Sequence, residues 1–392
     1  MKRLFASALL ILLSATSLAA DSNVLDQDVA LQPSARSAAL GGLHAALADD
    51  YTTLFSNPAG FNAAPEQFRV SELTFGVRGP VFTISSLIFK GMESDIGDLL
   101  SEPDVADLLT STYAESSLVG PISFGYVGNG LGFGVSMNSN FVAEGGVSSG
   151  ISFTLSERLL LSGGFALGVP LPASWKGSLD AGVLLKGFIL GTSGFSSSVL
   201  GLEDVFSNLD SDLFLDEPFD VTTGIGLDVG LRYALQERFA VGLTGQNLVA
   251  PTVTNEYASL QAFLDNESPV DRPTGRIPQN LSLGVMYRPP LGLLGRYISD
   301  ATVLFDYRDI LDFWVAPATA ENILLKFGTG LEVTMLEVLD LRLGFSDGLL
   351  NAGLGLDLNR VDINFALYGS ELSTEPGLRP VFNALVGFEF TL

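Results

Sequence analysis

Side chains able to do chemistry are scarce in this sequence, and their spacing suits anchoring better than catalysis. The single histidine, His44, lies among Leu43, Ala45, Ala46 and Leu47, with no nucleophile signature beside it. A histidine in that setting reads as a plug or packing residue rather than a general base. The chain has no cysteine, and it contains neither a GxSxG elbow nor a paired-histidine metal pattern. The residues therefore point to no catalytic site, no metal and no cofactor. What remains is a set of polar groups suited to holding a backbone in place. Asp49 and Asp50 can serve as polar anchors. Asn57 can cap or bridge neighbouring backbone groups, and Pro58 fixes its own backbone while biasing Asn57 away from helix. Ala59 and Gly60 complete the run. Further along, Lys326, Glu332, Asp340, Arg342 and Asp362 are isolated charges on alternating segments, most simply read as ion pairs across a lumen.

The anchoring residues fall within Ser34 to Phe61, SARSAALGGLHAALADDYTTLFSNPAGF. Gly41-Gly42, Asp49-Asp50 and Asn57-Pro58-Ala59-Gly60 are turn-formers interspersed with small apolar residues. They suit a compact plug turning sharply inside a narrow space. The same stretch also reads as a capped helix, Leu40 to Ala48, followed by a turn. Upstream, Lys2 and Arg3 precede an apolar run from Leu4 to Leu13, and Ser17-Leu18-Ala19 or Leu18-Ala19-Ala20 offers a small-residue cleavage site. Residues 1–20 thus read as a secretory signal peptide, too short in its apolar run to span a membrane. That leaves residues 21–66 for the plug.

The element that must position this plug is legible in residues 67–392. Hydrophobic residues make up 47% of the chain and charged residues only 16%, yet no later stretch reads as a membrane helix. Instead, apolar residues alternate with glycine and polar ones, the period of a strand whose faces meet different surroundings. Leu339, Leu341, Leu343 and Phe345 oppose Asp340, Arg342, Gly344 and Ser346. Val361, Ile363, Phe365 and Leu367 oppose Asp362, Asn364, Ala366 and Tyr368. Ile323, Leu325, Phe327, Leu331 and Val333 read as one further face. The polar faces are rich in glycine, unlike the Lys- and Glu-covered face of a soluble sandwich. Apolar faces in hydrocarbon require every backbone group to pair, so the sheet must close. The fold class is therefore all-β: a transmembrane antiparallel barrel of fourteen to sixteen strands around an N-terminal plug.

Asn129-Gly130 and Asp347-Gly348 are hairpin turn signals, and Glu157-Arg158, Glu237-Arg238 and Asn359-Arg360 read as further short turns. Segments near 91–117, 201–220 and 255–276 break the alternation with helical apolar spacing, as loop insertions on the rim. A formal charge of −24 excludes a nucleic-acid partner, whose phosphates need a basic face. The last strand places Phe382, Ala384, Val386, Phe388, Phe390 and Leu392 on one face. It resembles the terminal signal recognised by the outer-membrane assembly machinery, although it ends in Leu rather than Phe.

The plug stretch is similar to the N-terminal hatch of FadL-type outer-membrane transporters, including PorV and spirochaete FadL-like relatives. The shared pattern is a Gly-Gly element, Ala48-Asp49-Asp50, a six-residue gap, and Asn57-Pro58-Ala59. The resemblance covers about thirty residues by motif and the remainder by architecture alone. It implies fourteen strands, a bacterial outer-membrane location, and capture of long-chain fatty acids or similar hydrophobic molecules in the lumen. Release would follow a hatch shift and a lateral path through a kinked strand, for which Gly79-Pro80 is one candidate. The ligand-contacting residues cannot be placed from the motif. Within the same resemblance, a PorV-like docking partner for secreted proteins is the alternative function.

Overall fold

A strand with one face in lipid and one in a lumen must find hydrogen-bond partners on both edges. Here every wall strand does. The computed structural model describes residues 23–24, 34–81, 113–146, 150–172, 174–197, 214–236, 238–315 and 320–392. After a short strand β1 (Asn23–Val24), helix α1 (Ala35–Ala39), helix α2 (Thr53–Ser56) and a 3-10 turn (Pro58–Asn62), the wall begins. Its strands are β2 (Gln67–Arg78), β3 (Tyr113–Gly128), β4 (Leu131–Gly146), β5 (Gly150–Val169), β6 (Ser178–Ser197) and β7 (Phe219–Leu235). Next come β8 (Phe239–Val249), β9 (Pro251–Tyr257), helix α3 (Leu260–Leu264), β10 (Thr274–Arg276) and β11 (Asn280–Tyr287). The chain continues through β12 (Ile298–Tyr307), helix α4 (Asp312–Val315), β13 (Phe327–Met335), β14 (Leu339–Ser346), β15 (Leu349–Asp357), β16 (Val361–Glu371) and β17 (Pro380–Thr391).

Each wall strand is antiparallel to the next, and β17 pairs with β2 to close the ring. β8 and β9 form one kinked wall strand, and β10 and β11 another, because β8 pairs with β11 and β9 with β10. Counted so, the wall has fourteen strands. The alternation lands as a lipid face requires. Leu341, Leu343, Leu354 and Phe365 are exposed on the outside, while Arg342 and Asn364 between them are buried inside. On β5 the outward column Leu159, Leu161, Phe165, Leu167 and Val169 rises about 23 Å at ~3.3 Å per residue and ~45° tilt, close to the height of an apolar band. It ends at the end of the barrel where the short turns and both wall termini lie. β3 to β7, at 16 to 20 residues each, therefore extend beyond the band toward the long loops.

Several local expectations change. Glu157-Arg158 is no turn: both lie mid-strand in β5, Glu157 outward and Arg158 buried inward. Ile323 to Lys326 form a turn before β13, so Ile323 and Leu325 leave the strand face assigned to them. Gly79-Pro80 ends β2 instead of kinking it. The proposed helical segment 91–117 overlaps β3 from Tyr113, and 201–220 overlaps β7 from Phe219; the helical spacings Ile96 to Leu109 and Val205 to Leu209 lie outside the described residues. In 255–276, Tyr257 belongs to β9 and Leu260, Phe263 and Leu264 to α3. Among the described residues no helix is long and apolar enough to cross a membrane.

Candidate functional site

Residues 34–64 sit inside the ring, and glycine explains how. The lumen faces of the wall strands carry glycines where the plug backbone touches them. A Cβ at Gly182 would overlap the Pro58 carbonyl, one at Gly230 the Asn57 side chain, and one at Gly242 the Ala45 carbonyl. Added at Gly330, it would meet Leu40 O at 2.7 Å, and at Gly344 Ala39 O at 2.5 Å. The glycine-rich inner face is thus a seat shaped for a backbone, not a lumen packed only with side chains.

Within the plug, α1 is held by a reciprocal cap between Ser34 and Ser37, and the chain turns at Gly41 and Gly42. Both glycines have positive φ, +83° and +110°, which other residues reach only with strain. Leu40 to Ala48 is consequently not a helix. His44 is buried between the wall and its own loop. Its Nδ1 lies 2.5 Å from Asp306 Oδ2 and its Nε2 2.9 Å from Leu40 O. Asp306 also accepts the Ala45 amide at 2.8 Å, so one carboxylate on β12 clamps the plug loop twice.

The motif residues separate into two clusters. Asn57 is fully buried, and its side chain makes three hydrogen bonds. Its Oδ1 accepts the Ala59 amide at 3.0 Å, capping the Pro58–Asn62 turn, while its Nδ2 donates to Ala45 O at 2.7 Å and Leu231 O at 3.2 Å. It thereby ties two plug segments to β7. Pro58 and Ala59 press on Gly182, and Gly60 packs where a Cβ would meet Ala48 at 3.0 Å.

Asp49 and Asp50 lie in the second cluster, around Arg36, a residue that the motif did not single out. Arg36 bridges Asp49 at 2.9 Å, Asp50 at 2.6 Å and Glu332 of β13 at 2.6 Å. Glu332 in turn bonds Arg342 at 2.6 Å, and Arg342 reaches Asp340 at 2.6 Å. The lumen charges therefore pair along the wall and into the plug rather than across an open bore. Lys326 departs from this set by pairing with Asp312. Burial pushes the Asp49 carboxyl above its ordinary range despite Arg36. At Asp50 burial acts in the same direction, but Arg36 and the Thr52 hydroxyl outweigh it and the carboxyl is held low. A tight net of this kind fixes the plug in one register.

Two features escaped the residue pattern altogether. The first is an apolar cluster on the lumen face. Leu160 of β5 with Leu184 and Phe188 of β6 meet Leu54 and Phe55 of the plug and Ile277 of the wall. The second is a break in the wall. β2 and β3 pair through Arg69 and again from Thr74, leaving Val70 to Leu73 without ladder partners on β3. β3 bulges at the same level, between Val119 and Ser123. The two backbones still approach closely, since a Cβ on Gly120 would overlap the Glu72 carbonyl. On the lumen side the break is closed by Arg69, which pairs with Glu72 at 2.6 Å and with Glu389, and lies 4.1 Å over the Tyr51 ring of the plug.

One family model matches residues 129–287, described as "F plasmid transfer operon, TraF, protein", which is less than half of the chain. No curated protein matches. Solved structures that align include the Ralstonia pickettii toluene transporter TbuX, at 13% identity over 90% of this chain and 97% of that one, with TM-score 0.44. The CymD monoaromatic hydrocarbon channel aligns at 12% identity over 91% and 96%, with TM-score 0.45. A Pseudomonas aeruginosa FadL homologue aligns at 11% identity over 91% and 97%, with TM-score 0.37. Likeness at this level carries no functional argument; the closed fourteen-stranded barrel rests on its own strand pairing.

Proposed function

We propose that this chain is an outer-membrane barrel that passes small hydrophobic molecules, long-chain fatty acids or similar compounds, and that it is not an enzyme. The lumen-facing cluster of Leu160, Leu184, Phe188, Phe55 and Ile277 carries the reading. A barrel interior serving water or ions has no use for such a surface, whereas an acyl chain gains about 0.8 kcal/mol per buried CH₂. In the seated state these side chains cover one another, so a ligand enters as the hatch yields. The break between β2 and β3 supplies a lateral exit, with Arg69, Glu72 and Glu389 as its closure and Tyr51 linking that closure to the hatch.

The test is uptake of labelled fatty acid and labelled toluene by cells or vesicles holding wild-type protein, Leu184→Asp or Phe188→Asp. Heat-modifiable gel migration reports assembly, and mass spectrometry reports co-purified hydrophobes. Assembled variants should lose both uptake and co-purified ligand; wild-type uptake by both would sink the proposal. The PorV-like docking reading has one observation in its favour, the exposed Phe313 and Trp314 in the loop before β13. It expects lumen variants to be neutral, and Phe313→Ser with Trp314→Ser to impair export of a secreted protein.

A further inference from the structure

One buried ion pair stands beside the apolar cluster and is used neither by the plug clamps nor by the proposed exit. Along the lumen face of β6, Lys186 falls between Leu184 and Phe188, two of the cluster's own residues. Its Nζ lies 2.9 Å from Asp228 Oδ2 on β7, and both side chains are buried, at 4% and 2% exposure. Asp228 Oδ1 accepts the Asn247 amide at 2.8 Å, where β8 bulges and loses register with β7 between Leu227 and Val229. Asn247 sits there at φ +53°, a conformation that asparagine tolerates better than most residues. Its side chain is then left over. Asn247 is 4% exposed, and its Oδ1 has no hydrogen-bond partner among the described residues.

Gly226 brings these two polar groups to one place. It stands directly opposite Lys186 in the β6–β7 register. A Cβ added there would meet Asn247 Oδ1 and Lys186 Cε, each at 3.3 Å, so glycine leaves the approach to both unobstructed. A lysine ammonium carries three donors, more than one carboxylate oxygen can use, while the Asn247 carbonyl can only accept. A ligand group that fits both accepts one hydrogen bond and donates another, as a hydroxyl does. A carboxylate has no proton to give Asn247. The lysine charge is also already balanced by Asp228, so a carboxylate would bury a second negative charge beside the first. A plain hydrocarbon would leave Asn247 Oδ1 unpaired. We infer that Lys186 and Asn247 form a hydroxyl-recognition site, and that the cargo is a neutral alcohol whose apolar tail lies against Leu184 and Phe188. The inference rests on the transport reading and names the substrate class within it.

The test equilibrates purified protein in amphipol with radiolabelled 1-dodecanol, dodecane or dodecanoate and counts the label retained after gel filtration, above an amphipol blank. Wild type should retain dodecanol in preference to the other two. Asn247→Gly removes the acceptor, tolerates the positive φ and keeps the amide that Asp228 holds. It should weaken dodecanol binding roughly fivefold, the worth of one net hydrogen bond, and leave dodecane as in wild type. Gly226→Ala crowds the approach without removing either polar group and should act in the same direction, so either variant reads the site if the other fails to assemble. Equal retention of the three compounds by wild type, tighter binding of dodecanoate, or variants that lose dodecane as much as dodecanol would overturn the hydroxyl site and leave the transport reading standing. So would a dodecanol preference that survives in the assembled variants. Retention of none of the three by heat-modifiable wild-type protein would overturn both.

Discussion

At the scale of single residues, Asn57 and the seat glycines do different work on the same contact. Asn57 satisfies two carbonyls and caps a turn, and an alanine there would leave buried Ala45 O without its side-chain donor, costing roughly 1–3 kcal/mol. Asn57→Ala with Pro58→Ala should leave barrel assembly and heat-modifiability intact while changing uptake of a labelled fatty acid. Unchanged uptake in well-assembled protein would remove this motif from the gating step; failed assembly would make it a packing element. The glycine seat gives a sharper contrast. Gly230→Val drives a side chain into Asn57, whereas Gly163 faces open space, with nothing within 4 Å of an added Cβ. Gly230→Val should increase access of a soluble maleimide to a cysteine placed at Ser56, and Gly163→Val should leave it as in the parent. Arg36→Ala would leave Asp49, Asp50 and Glu332 facing one another, losing roughly 3–5 kcal/mol as a broken buried ion pair. The same maleimide assay should report its loosened plug.

At the scale of elements, the two faces of a wall strand differ in what they forbid. Phe365→Arg and Leu341→Arg place charge on the lipid face and should each cost roughly 2–4 kcal/mol near the bilayer midplane, read as reduced folding yield in vesicles. Alternation alone would make Asn364→Arg the mild control. The structure reverses that, because Asn364 Oδ1 accepts a hydrogen bond from Arg342 at 2.6 Å and is buried beside it. A second guanidinium there would oppose the first, so Asn364→Arg should also assemble poorly, and Asn364→Asp should restore assembly. If Asn364→Arg assembles like wild type, the contact is not formed in the membrane. Elements also show where pattern misleads. Ile323 to Lys326 alternate like a strand, yet Asn322 Oδ1 accepts the Leu324 amide at 3.1 Å and folds the segment into a turn. Glu157 and Arg158 look like turn residues but belong to a strand long enough to leave the lipid band, where Glu157 can sit outside and accept from Ser139 at 3.1 Å.

At the scale of the whole molecule, closure makes the barrel one cooperative unit. The β17–β2 pairing runs from Asn383–Arg78 to Thr391–Arg69, so the ring is completed by the last strand of the chain. Purified protein in detergent should therefore show a β-type circular dichroism spectrum and heat-modifiable migration. A predominantly helical spectrum would refute the architecture.

The sequence by itself determined the class of fold, because a two-residue period with apolar outer faces leaves a strand few choices besides a closed sheet in lipid. It also marked Asp49, Asp50 and Asn57 to Gly60 as plug residues, since turn chemistry is local and legible in short windows. Only the tertiary structure decided what those residues touch. Arg36 reaches Glu332 across 296 positions, Arg69 reaches Glu389 across 320, and no local spacing encodes such pairs. The break between β2 and β3 was hidden for the same reason, as a lost ladder depends on the register of two strands separated by a long loop. Glycine shows the division most directly: its abundance on the inner faces was visible in the sequence, but its purpose depends on a plug backbone arriving from elsewhere in the chain to fill the space that a Cβ would occupy.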